Sequence, residues 1–401
     1  MSIARDLVDL AYAEDLLMRL LEVEGVTGEE KAIAAAVVEE LKAAGVPETA
    51  IRHDSADARI PLPTEVGNLI VDLPGTKPGA RLLFSTHLDT VPLCRGAKPR
   101  REGNRIVTDG STALGGDNRT GCAVLVALAK TLLDRKLPHP PITLLFTVRE
   151  ESGLHGAREL DPKDLGGATM GFNVDSTHAA RLTIGAVGQQ NWEVEIRGKA
   201  SHAGVAPEKG ISATLVASVA LTEAHRGGWF GKVDKPEGRG SSNAGVFGGK
   251  GGRAAGDATN VVTDYAHVLG EARSADAAFA ARIAEAYREA FAKAQAEVRD
   301  AEGGMAEVTF RTQVAYPPFR LEEADSPAVA HAVKAAKAIG LEPHTMLSNG
   351  GLDANWLVKH GVPTVTFGAG QAEIHTVKEY VDLSEFAQGC RLAMSLATLT
   401  G

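Results

Sequence analysis

Cysteine is scarce in this chain: Cys94, Cys122 and Cys390 are scattered, with no Cys-x-x-Cys pair. That excludes a disulfide framework and a cysteine-built zinc module. Cys122 falls in the apolar run Cys122-Ala123-Val124-Leu125-Val126 and reads as a small core residue. Basic excess is missing too. Lys plus Arg number 42 against 51 for Asp plus Glu, a formal net charge of -9. Nucleic acid is thereby excluded as the main partner, because phosphate binding needs a basic surface. One local Arg can still hold an anionic small molecule. No stretch reaches the ~20 apolar residues of a membrane helix. The opening residues carry Arg5, Asp6, Asp9, Glu14, Asp15 and Arg19 in place of a signal peptide's apolar centre. The expectation is a cytoplasmic protein with no membrane partner. No period of about 20–50 residues recurs, so a solenoid is excluded.

What is present is an ordinary globular composition, 44% hydrophobic and 23% charged, over 401 residues. That length exceeds what one core usually fills, so two domains are expected. Residues 5–45 read as helical, with Leu10, Leu17, Leu20 and Leu21 at helical spacing. Strands are predicted at Leu82-Leu83-Phe84 and from Ile142 to Val148, with a buried helix from Gly121 to Leu133 between them. This rhythm implies an α/β sheet covered by helices on both faces. Near Gly188 the texture changes. Gln190 to Arg197 alternates like a strand with one wet face. A helix is predicted from Ile211 to Ala224, a mobile Gly/Ser-rich loop from Gly238 to Gly256, a strand from Asn260 to Leu269, and a long helix from Ala275 to Val298. These form a small two-layer α+β unit whose sheet edge suits pairing with another chain. From Ala306 the α/β rhythm returns, with a strand at Val308 to Val314, a helix at Ser326 to Ile339 and a strand at Thr364 to Phe367. The expected organisation is an α/β domain, residues 1–187 plus 304–401, interrupted by an inserted α+β domain, residues 188–303.

Acids and histidines gather where strands end. His87 and Asp89 close the first apolar strand, and a carboxylate beside a His can take one ring N–H and leave the other nitrogen for a metal. Asp117 sits in a Gly-rich loop feeding the buried helix, where it is either an N-cap or a carboxylate that bridges two cations. Glu150 and Glu151 end the most apolar strand, a costly position unless metal or protons offset the charge. Asp175 and His375 follow two further strands. Each has an ordinary reading alone: a turn acid, a cap, a solvated His. Together they place a cluster on the edge where α/β sheets build their sites. Two His and three carboxylates suit two zinc-like ions better than magnesium. His202, in Gly198-Lys199-Ala200-Ser201-His202-Ala203-Gly204, and Arg273, in Gly270-Glu271-Ala272-Arg273-Ser274, lie in the insert. For Arg273 the plain alternative is a weak surface ion pair with Glu271.

The motifs HLDTVP, GGDNRTG, REESGLHGA, NVDS, GKASHAG, TNVVTDYAHVLGEAR and EIHT occur in this order along the chain. In this set the chain resembles the co-catalytic metallopeptidases that include peptidase T, glutamate carboxypeptidase and aminoacylase, most nearly the peptidase T-like branch. The resemblance implies a mixed-sheet α/β catalytic domain with an inserted lid and dimerisation domain, hence a homodimer. It implies two divalent ions, zinc with cobalt or manganese as alternatives. Asp117 would bridge them, His87 and Asp175 completing one and Glu151 and His375 the other. Asp89 would orient His87, and Glu150 would be the general base. His202 would stabilise the tetrahedral intermediate, in some members across the dimer. Asn260 and Arg273 would hold substrate, Arg273 at a carboxylate. Ser348-Asn349-Gly350-Gly351-Leu352-Asp353 resembles the family's Gly-Gly substrate loop, with Leu352 where a small polar residue is commoner.

The expected activity is metal-dependent hydrolysis of the amide bond of a small peptide, as in a tripeptide aminopeptidase. A deacylase or carboxypeptidase acting on N-acyl amino acids uses the same residues and differs in whether a free amino terminus is accepted. A metal-binding scaffold without catalysis would lack a base or a ligand, and in this chain every position is filled.

Overall fold

The computed structural model describes residues 7–256 and 258–399. The chain divides into two units, residues up to Ala186 together with Arg320 onward, and Val187–Phe319. The second unit therefore runs beyond the expected residue 303. The strand foreseen at Val308 to Val314 is Glu307–Tyr316, and it pairs antiparallel with Gly188–Arg197 of the insert.

The first unit is built on a nine-stranded mixed sheet. At its centre Ile142–Thr147, Leu82–His87, Met170–Val174 and Thr364–Phe367 lie side by side and parallel. Leu69–Leu73 adds antiparallel at one side, and Arg181–Ala186 meets Thr364–Phe367 antiparallel at the other. The strands Leu82–His87 and Ile142–Thr147 are buried throughout, which is why they read as continuous apolar runs. Successive residues of a strand face opposite ways. Phe84 meets Phe172, and Phe172 meets His331 of the helix Pro327–Ala338, in tilted ring contacts, whereas Leu83 and Leu145 pack with Leu357 of Asp353–Lys359. Helices therefore cover both faces. The helix Gly116–Asp134 is buried along most of its length. A separate four-stranded sheet, ordered Gln371–Ala372, Tyr380–Asp382, Arg105–Val107, Arg100–Glu102, secures the segment around residue 375.

The helical start is not continuous. Leu10–Leu21 and Lys31–Ala43 are separate helices. Gly28 between them has φ +91°, and a Cβ at Gly25 would stand 2.7 Å from the Arg119 guanidinium, so both glycines are needed where the chain turns. Residues 5 and 6 of the expected helix lie outside the described residues.

The second unit is a five-stranded antiparallel sheet ordered Gly231–Lys235, Gly238–Gly248, Tyr265–Ser274, Gly188–Arg197, Glu307–Tyr316. The helices Ala213–Arg226 and Ala277–Glu297 pack on it around Trp192, Val194, Ile196, Val268, Ile283 and Phe291. Gly238–Gly248, expected within a mobile loop, is a strand. Its small residues serve close approach: a Cβ at Gly238 would lie 2.5 Å from the Phe279 ring, and one at Gly240 2.3 Å from the Arg273 carbonyl oxygen. The strand expected from Asn260 begins at Tyr265.

Candidate metal centre

The carboxyl ends of the central parallel strands deliver the site. His87 is the last residue of its strand and is buried. Beyond Ile142–Thr147, Arg149 takes φ +52° and turns the chain, so that Glu150 and Glu151 leave the strand alternation. The Asp89 carboxylate fastens this turn, accepting the backbone N–H of Glu150 at 3.0 Å and of Glu151 at 3.1 Å. Asp89 meets His87 mainly through its carbonyl oxygen, 3.0 Å from Nδ1, with its Oδ1 at 3.4 Å. The expected orientation of His87 by Asp89 thus comes largely from the main chain, while the carboxylate shapes the Glu150–Glu151 turn. Asp117 is no cap: it is Asn118 whose side chain accepts the Gly121 N–H.

Asp117 stands between the two histidines. Its Oδ1 is 3.1 Å from His87 Nε2 and its Oδ2 is 3.3 Å from His375 Nε2. Asp175 Oδ1 lies 3.8 Å from the same His87 nitrogen, and Glu151 lies 2.9 Å from His375 Nε2. The five expected ligands thus form two sets sharing one carboxylate. His87, Asp117 and Glu151 each offer a ligand atom, all within 4.8 Å of one another. Glu150 is different: its half-buried carboxyl has no hydrogen-bond partner among the described residues.

The electrostatics calls for cations. Asp89, Asp117, Glu150, Glu151, Asp175, Asp353 and Glu379 gather at this edge, and Asp89, Asp117, Asp353 and Glu379 are buried outright. Burial, joined by the charges of Asp175, Glu151 and Asp353, pushes the Glu150 carboxyl well above the usual range despite His87. Burial and Asp117 raise Glu151 to about 7. Against the same burial, His375 and His87 hold Asp117 below the ordinary carboxylate value. Asp117 and Glu151 raise His375 to about 10. So many acids in a low-dielectric pocket cost free energy unless positive charge offsets them. The buried cations nearby are turned elsewhere, Arg119 to the carbonyl oxygens of Leu88, Val23 and Gly25, and Arg149 to the Thr64 hydroxyl and the Pro63 carbonyl. Two His and three carboxylates in this arrangement fit two borderline divalent ions.

Several contributors were missed in the sequence. Glu379 accepts the backbone N–H groups of Leu114, Gly115 and Asp117 at 2.8, 2.8 and 3.0 Å and so sets the loop that carries Asp117. Gln371 donates its amide to Asp117 Oδ1 and Asp175 Oδ1, 3.1 Å each. Asp353, two residues beyond Gly350-Gly351, is buried and accepts the Thr147 hydroxyl, tying that loop to the strand that leads to Glu150. Position four before and four after His375 was the one available signal for Gln371 and Glu379.

The remaining expected residues lie in the second unit. His202 and Asn260 come together: His202 bridges Val261, and Ala203 N–H donates to the Asn260 carbonyl at 2.9 Å. These pairs continue the ladder beyond its Arg197–Tyr265 end. Arg273 sits towards the other end, opposite Gln189. Eight residue steps separate it from Tyr265, roughly 25 Å of strand. Its guanidinium makes a two-point ion pair with Glu271, 2.9 Å at both contacts.

Residues 83–398 match the family described as Peptidase family M20/M25/M40. The protein YqjE of Bacillus subtilis strain 168 is 36% identical over 331 residues, 82% of this chain and 84% of its own length. Among solved structures, the aminopeptidase PepT of Bacillus cereus ATCC 10987 is similar at TM-score 0.82 and 33% identity, covering 98% of this chain and 99% of its own. A tripeptidase of Staphylococcus aureus subsp. aureus Mu50 follows at TM-score 0.86 and 26% identity, covering 98% of each chain. With that match over most of its length, and with a cluster of acids and histidines at the strand ends, the chain belongs to peptidase family M20/M25/M40 and is a metal-dependent peptide-bond hydrolase.

Proposed function

We propose that this chain hydrolyses small peptides at a free amino terminus, as a tripeptide aminopeptidase does, using two divalent ions of which zinc is the best fit. The observation that carries the reading is the shared Asp117 carboxylate, one oxygen facing His87 and the other His375. His87, Asp117 and Asp175 would hold one ion, and Asp117, Glu151 and His375 the other. When bound, such a pair supplies Lewis acidity and a water activated at neutral pH. Glu150, half-buried and with no hydrogen-bond partner among the described residues, takes the proton of the attacking water and passes it to the leaving nitrogen. Gly350 and Gly351 offer main chain to the substrate. Arg273 anchors its carboxylate with the guanidinium edge that Glu271 leaves open. His202 stabilises the charge that develops on the carbonyl oxygen.

A tripeptide cannot span the length of strand that separates Arg273 from His202 in one chain. The reading is therefore a homodimer through the inserted unit, in which His202 serves the site of a second copy. The names of the similar structures, an aminopeptidase and a tripeptidase, support a peptide with a free amino terminus over an N-acyl amino acid. The test is kcat/KM on matched tripeptides, dipeptides and N-acetyl amino acids with zinc, cobalt or manganese. Tripeptides are expected to be the best substrates. Turnover confined to N-acetyl amino acids would replace this reading with a deacylase.

A further inference from the structure

Gln371 occupies an unusual place. Its side-chain amide is buried within the acid cluster, yet it cannot ionise. Its nitrogen lies 3.1 Å from Asp117 Oδ1 and 3.1 Å from Asp175 Oδ1, so its two N–H groups have one carboxylate each. Its carbonyl oxygen accepts the Thr120 hydroxyl at 3.0 Å. Both ends of the amide are therefore held. The backbone is held as well: Gln371 pairs with Val381 in the small sheet, and a Cβ on Gly116 would come within 2.8 Å of Val381 and 3.8 Å of the Gln371 Cβ. Among the described residues nothing comparable supports the other half of the centre. There the side chains of Glu151 and the half-exposed His375 meet each other, and His375 meets Asp117 Oδ2.

We propose that Gln371 is a positioning residue that holds the Asp117 Oδ1 and Asp175 Oδ1 atoms in place, so that the His87–Asp175 position binds its ion more tightly than the Glu151–His375 position. Donors to a ligating carboxylate fix its direction, and removing such an outer partner typically costs about 10–100-fold in metal affinity. Asp175 belongs to one position alone, and the Asp117 oxygen this amide holds is the one that faces His87, so the larger part of the cost falls on that position. The inference rests on the two-ion reading above.

The test is calorimetric titration of metal-free protein with zinc, beside Asp175→Asn and His375→Ala, which assign the two binding steps. Native protein is expected to show a tight and a weaker step. Gln371→Met keeps the side-chain volume but has no donor. It is expected to weaken the step lost in Asp175→Asn by about 10–100-fold and to leave the step lost in His375→Ala within about threefold. Thr120→Val, which takes the hydroxyl from the amide's far end and from the Gly116 carbonyl and Asn118 Oδ1 that it also meets, is expected to move the same step in the same direction by a smaller factor; it also covers the case in which Gln371→Met does not fold. Equal weakening of both steps, or none in either variant, would overturn the role of Gln371 while leaving the two-ion reading intact. Native protein that binds no zinc would overturn both.

Discussion

Replacing Glu150 by Gln and, separately, Glu151 by Gln separates the roles proposed above for two adjacent acids, one as base and the other as metal ligand. The structure puts them in different company. Glu151 lies within 2.9 Å of His375 Nε2, whereas the Glu150 carboxyl has no hydrogen-bond partner among the described residues. Glu150→Gln therefore leaves no protein partner stranded, and it removes a carboxyl whose ionised form burial disfavours. Its folding stability should fall by no more than about 1 kcal/mol and can rise. Loss of a general base typically costs about 10²–10⁴ in rate, or about 2.7–5.4 kcal/mol of transition-state stabilisation. The variant should keep the native metal content after gel filtration while kcat on a tripeptide falls by that factor and KM changes little. Glu151→Gln should instead lose metal from one position, and added zinc should restore part of its activity. Both are read by metal analysis of the purified protein beside steady-state kinetics. The assignment is refuted if Glu150→Gln loses metal and Glu151→Gln does not, or if Glu150→Gln keeps activity within about tenfold of native.

Metal uptake should depend on pH. Metal-free His375 is raised to about 10, so it stays protonated below that value and an ion must displace the proton. Zinc affinity is expected to fall as pH is lowered, close to tenfold per unit for each proton displaced, and titration with proton-release measurement at about pH 7 and about pH 9 checks the sign. Glu30 is fully buried and its carboxyl is raised to about 7, through burial first and then Asp89. An acid with a raised folded pKa loses stability as pH climbs from its ordinary value through the raised one. Metal-free Glu30→Gln should therefore gain about 1–3 kcal/mol over native near pH 8 and nothing near pH 4, as read by Tm against pH. Finally, if His202 serves a second copy, mixing Glu150→Gln with His202→Ala chains and allowing subunits to exchange should restore about a quarter of native activity, because half the dimers then hold one complete site. No recovery in a mixture shown to exchange would confine His202 to its own chain.

Much of the centre was legible because its residues sit where a sheet makes them informative. His87, Asp175 and the Glu150–Glu151 pair each follow a short apolar run, and a charge there has few structural reasons. Gln371 and Glu379 were not, because their importance comes from contacts with Asp117 across more than 250 residues and neither follows a pattern of its own. The sheet of the second unit was only half legible. Glycine and serine in Gly238–Gly248 look like a loop until the Phe279 ring and the Arg273 carbonyl are seen against them. Glu307–Tyr316 joins a strand more than a hundred residues earlier, so its membership is a property of pairing and not of local composition. The α/β rhythm gave no hint that the first helical stretch breaks at Gly25 and Gly28, whose purpose involves Arg119 and Arg149 far along the chain.

The insertion of Val187–Phe319 into the first unit has a consequence for synthesis. As the chain emerges, its early part carries His87, Asp117, Glu151 and Asp175, but the strand Thr364–Phe367 and His375 are still to come. The inserted unit is continuous and can finish folding in between, as domains generally do in order of emergence. For that interval the ribosome holds an acid-rich half-site without its second imidazole. The protease thus stays unassembled until translation has passed the insert, and proteolytic activity arrives together with a nearly finished sheet.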